Sequence, residues 1–158
     1  MRRTDRAVTD YQQIYTIIEQ AKVVHIGMID NDRPYVVPMQ YGFVFVDGKL
    51  TLYVHCAKEG RKLDLIKKNP HVFVELETNV AIVSGGEVPC KYGSEYASVM
   101  GDGTAVIVEE VSEKILGLQL MMKTQIGSDF EITEQMTKSV TVLRIDVPYV
   151  TAKSRGHL

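Results

Sequence analysis

The chain has 158 residues, of which 45% are hydrophobic and 24% charged, with a formal net charge of −2 at pH 7. This size and composition fit one globular domain with a sizeable core. The near balance of 18 basic and 20 acidic residues gives no broad electrostatic reason to expect nucleic acid or an acidic membrane as a partner, so any cationic site must be local.

The first half of the chain is predicted to contain one helix and three strands. Asp10 followed by Gln13 predicts a capping box in front of a helix over about 11–21. Three runs rich in β-branched and aromatic residues then predict strands joined by hairpin turns at Asn31-Asp32 and Asp47-Gly48. These runs are KVVHIGMID, PYVVPMQYGFVFV and KLTLYVH.

The second half is predicted to contain two helices and three further strands. A short helix over about 60–69 ends at Asn69-Pro70, and a later helix begins at Ser112-Glu113. The strands are HVFVELE, the segment 96–109 and KSVTVLRIDVPYVTA, with a loop over 84–95. Gly101 and Gly103 inside the fifth strand predict either a bulge or a close backbone approach.

Six strands joined by hairpins, with only short helices, predict a mainly β fold in which an antiparallel sheet closes into a barrel, as a single domain over 1–158. In the second strand, alternation predicts one inward face, formed by Tyr35, Val37, Met39, Tyr41, Phe43 and Phe45. Pro38 has no N–H for the ladder, so pairing is expected to be broken there or the strand to lie at an edge. A broken ladder would free backbone polar groups for a ligand.

Histidine and cysteine residues are the first candidates for a metal site or a nucleophile. His55 and Cys56 are adjacent on a strand, so their side chains point to opposite faces. His25, His71 and Cys90 are scattered, and neither C-x-x-C nor H-x-x-x-H spacing occurs. We therefore expect no metal site and no catalytic cysteine.

The stretch YVHCAKEGRKLDLI places Lys58, Arg61 and Lys62 around the start of a helix, where acidic residues are favoured because the macrodipole is positive. One interpretation is an anion site, since Gly60 permits a tight turn and helix N–H groups would point at the same ligand. The other is a solvated helix end with Glu59 as a local partner, and spacing alone leaves both open. The GDG at 101–103 lacks the context of a phosphate-binding loop.

Three segments in order, VVPMQYGF, LYVHCAKEGRKLDLIKKNP and YASVMGDGTAVIVEE, resemble the flavin-binding split-barrel proteins related to pyridoxamine 5′-phosphate oxidase. Within that family they look most like the nitroimidazole-resistance (Nim) branch. The likeness extends from about residue 1 to the last strand. It implies a six-stranded split barrel that forms a homodimer and holds FMN, with FAD as the alternative, in two grooves between the subunits.

The resemblance also implies the residues of the site. Arg61 and Lys62 match the basic pair that holds the flavin phosphate, and His55 is the single catalytic candidate, with cofactor positioning as its alternative role. The remaining contacts fall on strand three at His55, Cys56 and Ala57, on strand two at Pro38, Met39 and Tyr41, and on a segment from the partner subunit at Tyr96, Ser98 and Val99.

The resemblance predicts a flavin-dependent oxidoreductase that reduces a small electrophile such as a nitroimidazole near Met39, Tyr41 and His55. Pyridoxamine phosphate oxidases carry a C-terminal Trp and an arginine-containing substrate motif, whereas this chain has no Trp and ends YVTAKSRGHL, so vitamin B6 oxidation is not expected. Two alternatives stay open. One is a flavin-binding or flavin-storing protein without catalysis, and the other is a split barrel that uses deazaflavin or haem.

The location of the protein is predicted from its polar N-terminus and the lengths of its apolar runs. No run approaches the roughly 20 residues that cross a bilayer, and MRRTDRAVTDYQQ lacks the apolar core of a signal peptide. We therefore expect a cytoplasmic protein with no membrane partner. Its two cysteines are expected to be free thiols.

Overall fold

The computed structural model of the chain describes residues 3–156. Within them, nine strands and four α-helices occur, together with 3-10 helices at Thr4–Arg6 and Pro89–Lys91. The strands are β1 Ala7–Val8, β2 Val23–Asp30, β3 Arg33–Gln40, β4 Gly42–Val46, β5 Lys49–Cys56, β6 His71–Val83, β7 Gly93–Ile107, β8 Thr141–Val147 and β9 Thr151–Arg155. The helices are α1 Tyr11–Gln20, α2 Arg61–Lys68, α3 Val111–Ile126 and α4 Glu134–Thr137.

The strands form one antiparallel sheet in the order β3-β2-β6-β7-β8-β5-β4, and β9 pairs with both β1 and β7. This confirms the predicted mainly β split barrel. The described strands outnumber the predicted six partly because Tyr41 separates β3 from β4 and Pro148 interrupts the last predicted strand between β8 and β9. Proline cannot donate to a ladder, which explains the second break.

The core fills the inside of the barrel and is covered at one side by α1. Ile14, Ile17 and Ile18 are the buried residues of α1, at the spacing that puts them on one helix face. The predicted inward face of the second strand is confirmed, because its alternate residues are buried or pack against the core. These are Tyr35, Val37, Met39, Tyr41, Phe43 and Phe45.

Local sequence signals account for the ends of these elements. The Gln13 N–H donates to Asp10 Oδ1 at 2.9 Å, which confirms Asp10 as the N-cap of α1. Asn31 has φ of 59°, and Asp47 and Gly48 have φ of 51° and 77°, so both predicted hairpin turns use residues that tolerate left-handed backbone.

Gly101 and Gly103 allow β7 to approach its neighbours closely, and the predicted bulge at this point is wrong. The register of β6 with β7 runs through both glycines and shifts instead between Thr78 and Ala81. A Cβ on Gly101 would lie 2.5 Å from Val147 Cγ1 and 2.7 Å from the Tyr149 carbonyl oxygen. Any side chain would therefore push β8 and the segment after it away from β7.

The predicted loop over 84–95 is shorter in the structure. β6 continues to Val83 and β7 begins at Gly93, so the two strands form a long hairpin.

None of the helices within residues 3–156 combines the length and the hydropathy needed to cross a membrane.

Candidate functional site

The turn between β5 and α2 presents unpaired backbone donors. Gly60 precedes α2 with φ of 142°, and a Cβ added there would meet no atom within 4 Å. The N–H groups of Leu63 and Asp64 bond to the Gly60 carbonyl, whereas those of Arg61 and Lys62 have no acceptor among residues 3–156. Two N–H groups at the positive end of a helix therefore remain open to a ligand.

Arg61 has an anionic partner within the chain. Its Nε and Nη2 donate to Asp30 Oδ2 at 2.8 and 2.5 Å, and its guanidinium carbon lies 4.5 Å from the centroid of the Tyr35 ring. Asp30 ends β2 and Tyr35 lies on β3, so this contact also fixes the position of α2 against the sheet. A guanidinium carries five N–H groups, so donors remain for a second anion.

Lys62 is half-buried and pairs with no carboxylate within 4 Å in the described part of the chain. Its charge acts on Cys56, lowering the pKa of the thiol, but burial raises the pKa more and leaves the net shift upward. Cys56 packs in the main core at 8% exposure. The Cys56 side chain therefore faces the barrel interior, and the predicted contact of Cys56 with a ligand would be made through its backbone.

His55 is exposed near the end of β5, opposite Val142 in β8, on the face of the strand that α3 covers further along. On the same face two residues earlier, the Tyr53 hydroxyl donates to Glu113 Oε1 at 3.2 Å, and Arg144 Nη1 donates to the same oxygen at 2.7 Å. This contact holds the start of α3 against β5 and β8. The His55 ring has no hydrogen-bond partner in the structure over residues 3–156, so it is available to a ligand.

Pro38 lies on an edge strand, because β3 pairs only with β2 among the described strands. The ladder itself is continuous from Asp30–Arg33 to Val23–Gln40, so of the two alternatives the edge is confirmed and the broken ladder is not. In an antiparallel ladder, hydrogen-bonded and non-hydrogen-bonded residue pairs alternate. Counted from the closing pair Asp30–Arg33, the pair His25–Pro38 is a non-hydrogen-bonded one, so the Pro38 backbone nitrogen points away from β2. Backbone groups of alternate β3 residues face outward.

The side chains of Met39 and Tyr41 face inward, so the contacts predicted for these positions along the flavin ring would be made through the backbone. Tyr41 is 0% exposed, and its hydroxyl donates to the carbonyls of Ile18 and Ala21 at 2.5 and 3.2 Å. Burial raises the pKa of this phenol far above its ordinary value. Met39 is half-buried against the core. Only the β3 backbone and the outward Pro38 ring remain for a ligand.

The segment predicted to reach a partner subunit lies in the middle of the sheet. Ser98 and Val99 pair with β6 on one side and with β9 on the other, whereas Tyr96 pairs with β9 and lies where the β6–β7 register shifts. Val99 is 0% exposed and Ser98 is 9% exposed in this single chain, so Tyr96 is the most accessible of the three residues predicted to reach a partner. Tyr96 and Ser98 alternate to the outer face, where the Tyr96 hydroxyl accepts a bond from Arg6 at 3.4 Å.

The outer face of β2, β3, β6 and β7 carries exposed apolar side chains among charged ones, which include Glu77 and Asp102. Val36, Phe73 and Met100 are all exposed on it. At its centre His25 Nδ1 and Glu75 Oε2 are 3.1 Å apart. Burial, followed by the neighbouring charge of Glu77, raises the pKa of Glu75 against the opposing effect of His25. Apolar patches of this kind mark interaction surfaces.

A cleft of about 820 Å³ lies between α1, the end of α3 and the β6 bend, and contains none of the predicted site residues. Several of its polar groups are already bonded, since Lys22 Nζ donates to the carbonyls of Glu19 and Thr124 and Gln125 Nε2 donates to the Tyr41 carbonyl.

No group of three or more His, Cys, Asp or Glu side chains within residues 3–156 is arranged to hold a metal ion.

Arg61 and Lys62 begin α2 and His55 lies near the end of β5, so all three flank the β5–α2 turn, with the β3 edge close to Arg61 through Tyr35. The Lys62 charge acts on Cys56, on the face of β5 opposite to His55. Asp30 and Tyr35 were missed by sequence reasoning. Tyr35 was placed only by strand alternation, and no local signal pairs Asp30 with a residue 31 positions away. Their contact with Arg61 depends on the packing of α2 against β2.

The strand order and the short peripheral helices define an antiparallel split barrel, with the β5–α2 turn close to the β3 edge. The chain belongs to the pyridoxamine 5′-phosphate oxidase family, whose sequence model matches residues 10–154. A comparison with curated proteins gives no match.

Solved structures with the same fold cover nearly the whole chain. A candidate 5-nitroimidazole antibiotic resistance protein from Bacteroides thetaiotaomicron is 28% identical, with a TM-score of 0.78 over 94% of this chain and 86% of that one. The flavocytochrome Anf3 from Azotobacter vinelandii is 16% identical, with a TM-score of 0.76 over 99% and 72%. A FAD and heme binding protein from Mycobacterium smegmatis is 13% identical, with a TM-score of 0.73 over 96% and 74%.

Proposed function

We propose that the chain is a flavin-dependent oxidoreductase that works as a homodimer and reduces a small electrophile such as a nitroimidazole. Its family membership and the 28% identity to a candidate 5-nitroimidazole resistance protein support this proposal. The observation that carries it is the donor set at the start of α2. Two N–H groups, the Lys62 ammonium and the free donors of Arg61 converge where a phosphate would be bound.

The donor set fits a flavin phosphate in number and in kind. A phosphate accepts several charge-assisted hydrogen bonds, and the start of a helix adds a favourable dipole. Gly60 leaves open space above the turn, so a ligand can approach the backbone. Asp30 holds the Arg61 guanidinium in one orientation, which lowers the entropy lost when Arg61 binds an anion.

The isoalloxazine ring would lie along the β3 edge, at Pro38 and the outward backbone groups of β3. A bound flavin supplies the electrons, and the residues of the chain supply position and electrostatics. His55 near the end of β5 and Ala57 in the turn after it are both exposed, and we place them beside the cofactor. His55 then either supplies a proton to the substrate or fixes the cofactor.

The second copy would bring Tyr96 and Ser98 to the flavin across the apolar outer face. A homodimer explains why Val36, Phe73 and Met100 are exposed on this face of a single chain. It would also cover Glu75, whose carboxylate is already poorly solvated.

The absorbance spectrum of the purified chain, with its released chromophore identified, tests the cofactor. We expect a flavin. A haem Soret band or a deazaflavin spectrum would instead favour the corresponding split-barrel alternative. Anaerobic mixing of the reduced protein with a nitroimidazole then tests the reaction, and a reduced flavin that is not reoxidised would favour a binding or storage protein.

A further inference from the structure

The outer surface of β9 carries cations that have no carboxylate partner. Lys153 and Arg155 lie on one face of this strand, because side chains alternate along it. Arg6, at the end of the first 3-10 helix, adjoins them through its bond to the Tyr96 hydroxyl. Within residues 3–156, none of these three cations lies within 4 Å of a carboxylate oxygen. We call Arg6, Lys153 and Arg155 the β9 cation patch.

The β9 cation patch lies beside the residues that we place at the flavin of the other copy. Across the β7–β9 ladder, Tyr96 pairs with Arg155 and Ser98 pairs with Lys153. Paired residues in an antiparallel ladder share a face, and their Cβ atoms are about 4.5 to 5.5 Å apart. A molecule that lies against Tyr96 on the outer face is therefore within reach of both cations.

The acidic residues around the patch do not neutralise it. Glu77 lies on β6, so the whole width of β7 separates it from Lys153. Asp5 is hydrogen-bonded to Arg3, which lowers the pKa of this carboxyl to about 2. The Glu95 side chain packs against the backbone that follows β9. The patch is thus a local concentration of positive charge on a chain whose formal net charge is −2.

We propose that the β9 cation patch binds the pyrophosphate of a reduced nicotinamide dinucleotide, which is the electron donor of the protein. The inference rests on the proposed function and names the molecule that reduces its flavin. Lysine and arginine bind phosphate oxygens through charge-assisted hydrogen bonds, and the arginine fork can bind two oxygens at once. The Tyr96 ring adds an aromatic surface for a planar base. The patch therefore suits a ligand that carries both phosphates and bases.

This placement separates the cations of the two ligands. Arg61 and Lys62 are assigned to the flavin phosphate, whereas the β9 cation patch has no other assigned ligand. A dinucleotide held beside Tyr96 would have its nicotinamide next to the flavin that Tyr96 reaches. The dihydronicotinamide loses a ring hydrogen with its electron pair and becomes a pyridinium, and a bound flavin accepts that pair, with a solvent proton completing the two-electron reduction.

Titration calorimetry with the oxidised dinucleotides NAD and NADP measures the site in the flavin-loaded dimer without turnover. Lys153→Gln with Arg155→Gln should weaken binding roughly 100-fold, at about ten-fold for each lost charge-assisted contact. Lys67→Gln with Lys68→Gln removes two exposed lysines from the end of α2 and should leave binding unchanged. Binding of either dinucleotide meets the expectation, and the one that binds more tightly is the donor.

Anaerobic reduction of the flavin-loaded dimer gives a second test. N-benzyl dihydronicotinamide has the same reducing ring as the dinucleotides and no phosphate. The double variant of the patch should need roughly 100-fold more reduced dinucleotide for the half-maximal rate, whereas its rate with the benzyl compound should stay within about two-fold of wild type.

Four results would overturn the assignment while leaving the proposed flavoprotein in place. They are no binding of either dinucleotide by the flavin-loaded wild type, unchanged binding in the double variant of the patch, an equal loss of rate with both kinds of donor, and dissociation of that variant into monomers in light scattering. A wild type that binds no flavin would overturn both the donor site and the proposed function.

Discussion

Arg61 donates two hydrogen bonds to Asp30, so the cation at the start of α2 has an anionic partner before any ligand arrives. Arg61 therefore does not require an external anion to balance its charge. The Asp30 carboxylate offsets the charge of Arg61, and the net positive charge of the turn is carried by Lys62, Lys58 and the unpaired N–H groups of α2. Arg61 still contributes oriented donors.

Replacement of both basic residues, Arg61→Ala with Lys62→Ala, should abolish most flavin binding without unfolding the chain. Each lost charge-assisted contact is worth roughly 1.5 to 3 kcal/mol, so affinity should fall at least tens-fold. The double variant also leaves Asp30 unpaired beside the phosphate, which adds repulsion. Lys67→Ala with Lys68→Ala, at the other end of the same helix, is the matched control. Unchanged affinity in the first variant would contradict the phosphate assignment.

Asp30→Asn should tighten flavin binding rather than weaken it. The amide keeps an acceptor for Arg61 but removes a negative charge next to the proposed phosphate site, and a gain of about 0.7 kcal/mol would be roughly three-fold in affinity. Titration of the variant with flavin measures the change. A loss of affinity would show that the hold of Asp30 on Arg61 outweighs its charge.

Much of the fold was predictable because local patterns decide it. The cap at Asp10, the hairpin turns and the alternation around Val37 each depend on residues close in sequence, and each is confirmed. The break between β3 and β4 at Tyr41 was not predictable, because the Tyr41 hydroxyl bonds to the carbonyls of Ile18 and Ala21, which lie 23 and 20 residues away in the sequence. A pattern of alternate apolar residues cannot distinguish one long strand from two that share an inward face.

The candidate site was predictable only in part, for the same reason. Arg61 and Lys62 stand out locally, since cations at a helix start oppose the usual preference. The side chains of Cys56 and Val99 were expected at the ligand and lie in the core, because each sits on the inward face of its strand. The contacts of Arg61 with Asp30 and Tyr35 depend on tertiary packing, which no local pattern reveals.

Phe73→Glu should convert the protein to a monomer and weaken flavin binding, if the outer face joins two copies. The substitution would bury a carboxylate without a partner between the two copies, and the desolvation penalty of that charge would exceed the free energy that holds the dimer together. Light scattering of the 17.7 kDa chain measures assembly. Phe130 is matched in exposure, 43% against 45%, and lies after α3 on another surface, so Phe130→Glu should leave the dimer intact. A wild-type monomer that retains flavin would refute the shared site.

Tyr41→Phe should reduce stability and leave the flavin site unaltered. It removes the donor that satisfies two buried carbonyls at the end of α1, which costs roughly 1 to 3 kcal/mol of unfolding free energy. Urea unfolding measures the loss, and Tyr11→Phe at an exposed position is the control. A large loss of flavin affinity at full folding would instead restore Tyr41 to the set of ring contacts.

His55→Ala separates the two roles proposed for the only catalytic candidate. If His55 donates a proton during substrate reduction, the variant should retain flavin but reoxidise it with a nitroimidazole more slowly, by roughly the 10² to 10⁴-fold typical of a lost acid catalyst. If His55 only positions the cofactor, affinity should fall and the rate per bound flavin should hold.

Stopped-flow reoxidation at matched flavin occupancy distinguishes these outcomes, because occupancy and rate are then measured apart. His71→Ala serves as the control, since His71 is also exposed but begins β6, where it pairs with Thr104 rather than with β8. The exposure of His55 beside the open β5–α2 turn favours a direct contact with substrate. A per-flavin rate within a few-fold of wild type would remove His55 from catalysis and leave it as a residue that binds the cofactor.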